Sequence, residues 1–513
     1  MKFRIFTYTL LAAVFLGCDS KLDIPDPNRL SSDEYYSTEE QAVASVDAIY
    51  NTLIIDGWYQ RMTPIYNDSR SDEVGSRSPW AFLTGLSNFT LPPADEGGDI
   101  FWAGHYITVN RANQALENVP NVPDLDPALT DRLLGQAYFL RGLAYFKLAN
   151  QYGNPVLVLE TPVGVEALYP SNEGVTKEGV YEQVKMDLEM AIDLLPTSYA
   201  GISGPDANQS GRATKRAAQA LMGKVLLYEG EYAQALPFFE TVITSGEFAL
   251  AENYADIFSG DPALEQADPG KIFWAEFTNS TNPTPNWGGD PNVNWRQFNA
   301  LSLTYSVANF FDFYPTNWLY NEMRQELTVD GNLDERYHAT ILSYEPEEGY
   351  DMAFGQPWPY GENDYFLKKF TLADMGGNAD FSGINYPIIR YADVLLMYAE
   401  CLANTGNIGA AAEYVQIVRD RANLPDRESE FAGYTLDQFM DQLAHERVME
   451  LAVESSRWFD IMRWGWLDDA QKLQLLQAHD PEFLNFTPDR KLIPIPLNEM
   501  NNNPNLVGNA AND

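Results

Sequence analysis

Histidine and cysteine are the scarcest chemistry in this chain of 513 residues: four His and two Cys. Two cysteines allow at most one disulfide, so the fold is no cystine scaffold. They are also too few for a Cys-rich zinc or iron–sulfur site. His445-Glu446 begins like a zinc-protease helix motif, but Met449 stands where the second histidine is needed. No GxSxG elbow, phosphate-binding GxxxxGK[ST] loop or EF-hand loop occurs. Positive charge is the next shortage. Lys and Arg number 33 against 73 Asp and Glu, a net charge of −40. A nucleic-acid partner needs a basic face and is excluded. The same charge suits a protein that stays soluble in an exposed, saline setting.

Long apolar runs are also missing, with one short exception. Ile5 to Leu16 is a twelve-residue, mostly apolar run that follows Lys2 and Arg4 and ends at Gly17-Cys18. A membrane-spanning helix needs about 20 such residues. This is a secretory leader with a small-residue cleavage site. A cysteine directly after it matches a bacterial lipobox, although Phe15 stands where Leu is usual. Residues 1–17 are therefore expected to be a signal peptide, with Cys18 as the lipid anchor. A plain secreted protein with an incidental cysteine is the alternative. Several acyl chains on one residue hold a protein on a membrane far better than one. Loss of Lys2 and Arg4 takes the mature net charge to about −42.

What is abundant is helical periodicity. In residues 128–151, Leu133, Ala137, Leu140, Ala144 and Leu148 share one face, and Phe139, Leu143 and Phe146 make a second. A helix apolar on two faces is sandwiched, as in a stacked solenoid. Gly153 and Pro155 end it. In residues 217–246, Gly223, Leu226, Gly230, Tyr232, Ala235 and Phe239 fall at tetratricopeptide offsets. Residues 388–424 repeat the layout, with Cys401 a small buried apolar residue between Met397 and Leu402. Amphipathic segments at 36–54, 101–118 and 176–195 complete about four helix pairs. A single helix is read across 435–466. The predicted fold is mostly α: a helical-repeat scaffold with a loop-rich irregular region, all one domain. Its parts are an N-terminal repeat region, 18–246, containing the loops of 56–100, an aromatic-rich insertion, 247–385, and a closing repeat pair and helix, 386–513. A long irregular insertion in a helical protein is usually functional.

Glu446, Glu450 and Glu454 share a helix face and could suggest a glycosidase acid pair. Arg447, Arg457 and Arg463 lie close enough to lower their pKa values, which favours a structural ion network instead. Asp95-Glu96-Gly-Gly-Asp99 offers carboxylates to a hard cation, or is a solvated loop. No metal, cofactor or catalytic residue is assigned.

Several strings resemble the SusD/RagB family of outer-membrane lipoproteins. They are Arg141-Gly-Leu-Ala-Tyr-Phe with Tyr152-Gly-Asn-Pro155, Gly211-Arg-Ala-Thr-Lys215, and Pro387-Ile-Ile-Arg-Tyr-Ala-Asp393. Further along come Val418-Arg-Asp-Arg-Ala422, Glu446-Arg447 through Arg463-Trp-Gly465, and Ile493-Pro-Ile-Pro496. The matches run in the family's order over the whole mature chain. The resemblance implies four tetratricopeptide-like pairs and a lipid-anchored surface protein, without enzymatic activity. It would lid a SusC-like TonB-dependent transporter barrel and capture oligosaccharide or polysaccharide, less often peptide. It also implies ligand contacts in the loop after the first helix and in the irregular region. Carried onto this chain, these are Asp72, Glu73, Trp80, Trp287 and Trp295. Each Trp could instead be a packing anchor, and the two acids could serve a local contact.

Overall fold

The computed structural model describes residues 35–278, 298–374 and 382–512. Eight helices make four stacked pairs. The first pair is α1 (Glu39–Tyr50) with α2 (Glu96–Asn118), and the second is α3 (Pro127–Tyr152) with α4 (Lys177–Leu194). The third is α5 (Lys215–Tyr228) with α6 (Tyr232–Thr244), and the fourth is α7 (Tyr391–Asn404) with α8 (Ile408–Arg421). Each pair packs on the next, and α7 lies directly on α6 although 146 residues separate them in sequence. The insertion therefore leaves and rejoins the solenoid without breaking its stack.

Local chemistry explains the elements. Thr38 and Gln41 form a capping box at the start of α1, and Thr435 with Gln438 forms another at α9 (Leu436–Leu451). The small residue at 223 has a measurable cause: a Cβ there would sit 2.6 Å from the Phe239 ring of α6. The α5–α6 turn uses Gly230 at φ +78°. Both faces of α3 are buried, from Leu133 through Phe146 to Tyr152, as a sandwiched helix requires.

Asp95 proves to be the N-cap of α2, accepting from the Gly97 and Gly98 amides and the Tyr66 hydroxyl. The acidic cluster is thus a helix start, in neither of the two forms expected. No group of carboxylates, His or Cys suited to a metal occurs among the described residues. No described helix is long and apolar enough to cross a membrane.

The reading of one helix across 435–466 is corrected. Helix α9 stops at Leu451, and α10 (Arg457–Arg463) starts anew. Between them Val453 (φ +62°) and Ser455 (φ +63°) are left-handed, a conformation that costs a β-branched residue dearly. Two buried carboxylates hold them there. Glu73 accepts from the Val453 N–H at 3.0 Å and Asp68 from the Ser455 N–H at 2.7 Å. The partners lie some 380 residues upstream, so no periodicity within 435–466 could reveal the break.

The insertion holds short helices and two-stranded ribbons. Strand β1 (Val74–Ser76) pairs antiparallel with β3 (Phe313–Pro315), placing Gly75 opposite Tyr314. Strand β2 (Lys271–Ala275) pairs with β6 (Tyr386–Arg390), and β4 (Ile341–Ser343) with β5 (Tyr365–Leu367). The first ribbon joins the loops of 56–100 to the insertion, and it carries the candidate site.

Candidate functional site

The loop after α1 turns inward before it reaches the surface. Asp56–Gln60 is a kinked turn, and Trp58 at the kink, with non-helical φ −112° and ψ −133°, is fully buried. Its indole N–H donates to the Gly104 carbonyl at 3.0 Å and the Thr108 hydroxyl at 2.9 Å. Gly57 lies against Gly104 so closely that a Cβ would come 2.4 Å from the Ile100 carbonyl oxygen. Trp58 is a packing anchor.

Asp72 and Glu73 are also inside, and both are corrected as ligand contacts. Asp72 is fully buried and grips the Arg457 guanidinium through two bonds of 2.7 and 2.8 Å. It also contacts His479 Nδ1 at 2.7 Å. Burial pushes its carboxyl up, but Arg457 and His479 outweigh that and hold it down at about 2. Glu73 is 1% exposed, and burial together with neighbouring Asp68 drives its pKa well above the usual range. Neither offers a carboxylate oxygen to a ligand at the surface. The family pattern located the loop, but long-range partners decide which way its side chains point.

Trp80 is different. It is 43% exposed, at the N-terminus of the short helix Ala81–Ser87. Phe82 stacks beside it, centroids 5.9 Å apart at 27°, and the Arg61 guanidinium lies 5.4 Å from its centroid. Arg61 is fixed in turn by a two-pronged bond to Asp56. An indole clamped by an aromatic and a cation is a rigid platform.

The β1–β3 ribbon sets further rings beside this platform. The Arg77 amide, just past β1, donates to the Asp312 carbonyl at 2.8 Å, and its guanidinium lies 4.4 Å from the Phe311 centroid. Ser78 Oγ accepts from the Trp80 amide and bonds the Asp312 carboxylate, whose pKa burial raises. The alternation of β3 buries Phe313 and Pro315 and turns Tyr314 outward, while Phe310 is 56% exposed. Arg77 and Phe311 meet at the Ser76 end of the ribbon, where Ser78 ties the Trp80 amide to Asp312, and Phe310 and Tyr314 are exposed on the adjoining stretch. Exposed rings present flat faces to C–H surfaces, and Arg77 adds donors for hydroxyls.

Sequence reading noted Phe310, Phe311 and Tyr314 only as part of an aromatic crowd and passed over Arg77. The strand alternation around Tyr314 was the one available signal, and β3 is only three residues long. Trp287 and Trp295 lie outside the described residues, as does Cys18.

A second open groove, about 910 Å³, lies between α1 and β2 and is lined by Ala44, Ala48, Arg212 and Trp274. Trp274 is buried there, so the groove offers no exposed indole face. Volume and chemistry point to different places, and a platform needs an accessible ring. The ribbon is therefore the candidate site.

The possible acid pair is resolved as an ion network. Glu446 accepts from Arg336 at 2.6 Å and from Arg419 at 3.2 Å. Glu450 meets Arg336, Arg390 and Arg421, and Glu454 meets Arg390 and Lys369. Burial pushes the Glu450 carboxyl up, but the three arginines outweigh it and hold it at about 2. A general acid needs the reverse shift.

A solenoid of helix pairs presenting an aromatic surface on inserted loops defines a binding scaffold. Two family models match the chain: residues 270–511 match the "SusD family" model, and residues 22–227 match "Starch-binding associating with outer membrane". The chain belongs to the SusD/RagB family. It is 24% identical over 529 residues to SusD-like protein P2 of Formosa agariphila, covering 99% of each chain. Among solved structures, a SusD superfamily protein of Bacteroides vulgatus superposes with a TM-score of 0.79 at 23% identity, over 93% of this chain and 99% of that one. A laminarin-binding SusD-like protein gives 0.71 at 25% identity, over 92% and 99%.

Proposed function

We propose that the protein is a cell-surface glycan-binding lipoprotein that captures oligosaccharide and delivers it to a TonB-dependent outer-membrane transporter. The observation that carries this reading is the exposed Trp80 platform, braced by Phe82 and Arg61, with Phe310 and Tyr314 exposed on the neighbouring ribbon strand. Laminarin binding by a protein of the same fold supports a glycan ligand. The SusD/RagB family consists of binding proteins, and the buried, arginine-paired Glu450 suits binding without turnover. Trp287 and Trp295 are proposed as further platforms.

Covering one sugar face removes about 60–80 Å² from water, worth roughly 1.5–2 kcal/mol at about 25 cal/mol/Å². Two or three such platforms give micromolar-to-millimolar affinity, which suits capture followed by release. Trp80→Ala is expected to weaken oligosaccharide binding about tenfold to thirtyfold while leaving the melting temperature nearly unchanged. Titration calorimetry with laminarin oligosaccharides and other neutral glycans, with scanning calorimetry on the same protein, reads both effects. Unchanged affinity for every glycan the wild type binds would remove Trp80 from the site.

The anchor is proposed at Cys18. Cys18→Ala is expected to abolish acylation and leave the protein in the soluble fraction. Membrane retention of that variant would sink the lipid assignment.

A further inference from the structure

A small cavity lies where α3, α5 and the left-handed segment 453–455 meet. A water-sized particle has about 20 Å³ in which to move there, enough for one. Its lining includes Tyr59, Lys147, Asn150, Lys224, Glu454 and Ser455. Two of these side chains are unsatisfied. The Tyr59 hydroxyl is buried and finds no hydrogen-bond partner. Lys147 makes no hydrogen bond or ion pair among the described residues, and its ammonium lies 5.6 Å from the Tyr59 ring centroid. A buried donor without an acceptor costs on the order of 1–3 kcal/mol, and more if it is charged. A buried hydroxyl without an acceptor, in a cavity also lined by a part-buried ammonium that makes no ion pair among the described residues, points to an acceptor in that cavity.

The surrounding charges say what kind. Every other cation and carboxylate facing the cavity is already committed. Lys224 and Arg447 share Asp393, and Lys369 and Arg390 share Glu454. Asp68 is taken by the Tyr305 hydroxyl and the Ser455 amide. After burial, the strongest single charge acting on Lys147 is that of Lys224, another cation, opposed by Asp393 and Asp68. Together with burial this lowers the Lys147 pKa to about 7. Lys147 is the cation here that lacks a counter-charge. A neutral water would satisfy hydrogen bonds and leave that charge uncompensated. An oxyanion the size of sulfate is too large for the space.

We propose that this cavity binds a monovalent, monatomic anion, a halide, held by the Lys147 ammonium and the Tyr59 hydroxyl. The Tyr59 ring stacks on Tyr386 at 5.0 Å, and the Tyr386 hydroxyl bonds Ser455 at 2.7 Å. The anion would therefore tie helix α3 to the segment between α9 and α10. It would make the fold chloride-dependent in a chain of net charge −40, where added salt otherwise acts by screening.

The test separates specific binding from screening by fixing ionic strength and exchanging sodium gluconate for chloride or bromide near pH 6.5. Above the dissociation constant, each tenfold rise in halide is expected to lift the melting temperature by roughly 1–2 °C. Sulfate at matched ionic strength should not reproduce the rise. Lys147→Met should abolish the halide dependence and Tyr59→Phe should reduce it. Crystals soaked in bromide should show anomalous scattering within hydrogen-bonding distance of Lys147 Nζ and Tyr59 Oη. That measurement uses the wild-type protein and stands even if neither variant folds. A peak with no anomalous signal, or equal melting in gluconate and chloride, would assign the site to water and overturn the proposal.

Discussion

Glu450→Ala is expected to cost about 3–5 kcal/mol, a large part of the 5–15 kcal/mol that holds most domains folded. Glu450 is fully buried on α9, and its carboxylate is shared by three arginines. Removing it does not strand all three equally. Arg336 keeps Asp334 and Glu446, and Arg390 keeps Glu454. Among the described residues Arg421 keeps only the ion pair of its Nε with Glu335 at 3.8 Å, and Nε and one terminal nitrogen already make no hydrogen bond. The penalty is therefore mainly that of one guanidinium left buried and uncompensated. Glu450→Gln keeps the volume and one acceptor, so it should fall between the wild type and Ala. Urea unfolding followed by circular dichroism measures all three. A loss below about 1 kcal/mol for Glu450→Ala would mean that water reaches Arg421 and that the network is peripheral. Trp80→Ala, on the exposed ribbon, supplies the contrast: binding lost, stability kept.

The scaffold was legible because its cause is local. Gly223 and Phe239 touch and Gly230 turns within one repeat's length, and Gly153 ends α3 from the position next to its last residue. Spacing rules capture such contacts. The site was only half legible. Trp80 lies exposed in the loop where the family pattern placed it. Asp72 and Glu73 share that loop, yet they face inward, because Arg457, His479 and the Val453 amide draw them there from the far end of the chain. The break between α9 and α10 was hidden for the same reason. Arg77, Phe311 and Tyr314 join the platform only through the β1–β3 ribbon, which pairs residues some 240 apart. Sequence periodicity says nothing about such pairings. Exposure, which separates a platform from an anchor, depends on them entirely: Trp58 and Trp80 lie in one loop region and differ only in what folds over them.

The same inward-facing acids set a second expectation, a fall in stability as the solution leaves mildly acidic pH. Asp68 is fully buried, and its carboxylate oxygens accept from the Tyr305 hydroxyl at 2.9 Å and the Ser455 amide at 2.7 Å. Burial dominates these bonds and raises its pKa from 3.8 to about 7. The folded protein therefore holds a proton that the unfolded chain has released. Its stabilising contribution is complete below pH about 4 and is lost as pH rises through about 7, amounting to up to about 4 kcal/mol. Glu73 is raised for the same reasons and titrates with Asp68 as a coupled pair, so the loss is spread over both. Asp72 runs the other way: with a pKa near 2, its contribution vanishes only in strong acid. Asp68→Asn imitates the protonated carboxyl. Its oxygen can keep the Ser455 amide, and its amide group can donate to the Tyr305 hydroxyl. Relative to the wild type, the variant should gain about 2–3 kcal/mol between pH 5 and pH 8. Urea midpoints of both proteins across pH 4.5–8.5 give the difference curve, in which groups common to both cancel. A flat difference would show that Asp68 is ionised throughout, and the left-handed turn at Val453 and Ser455 would then rest on a buried carboxylate anion rather than on a protonated acid.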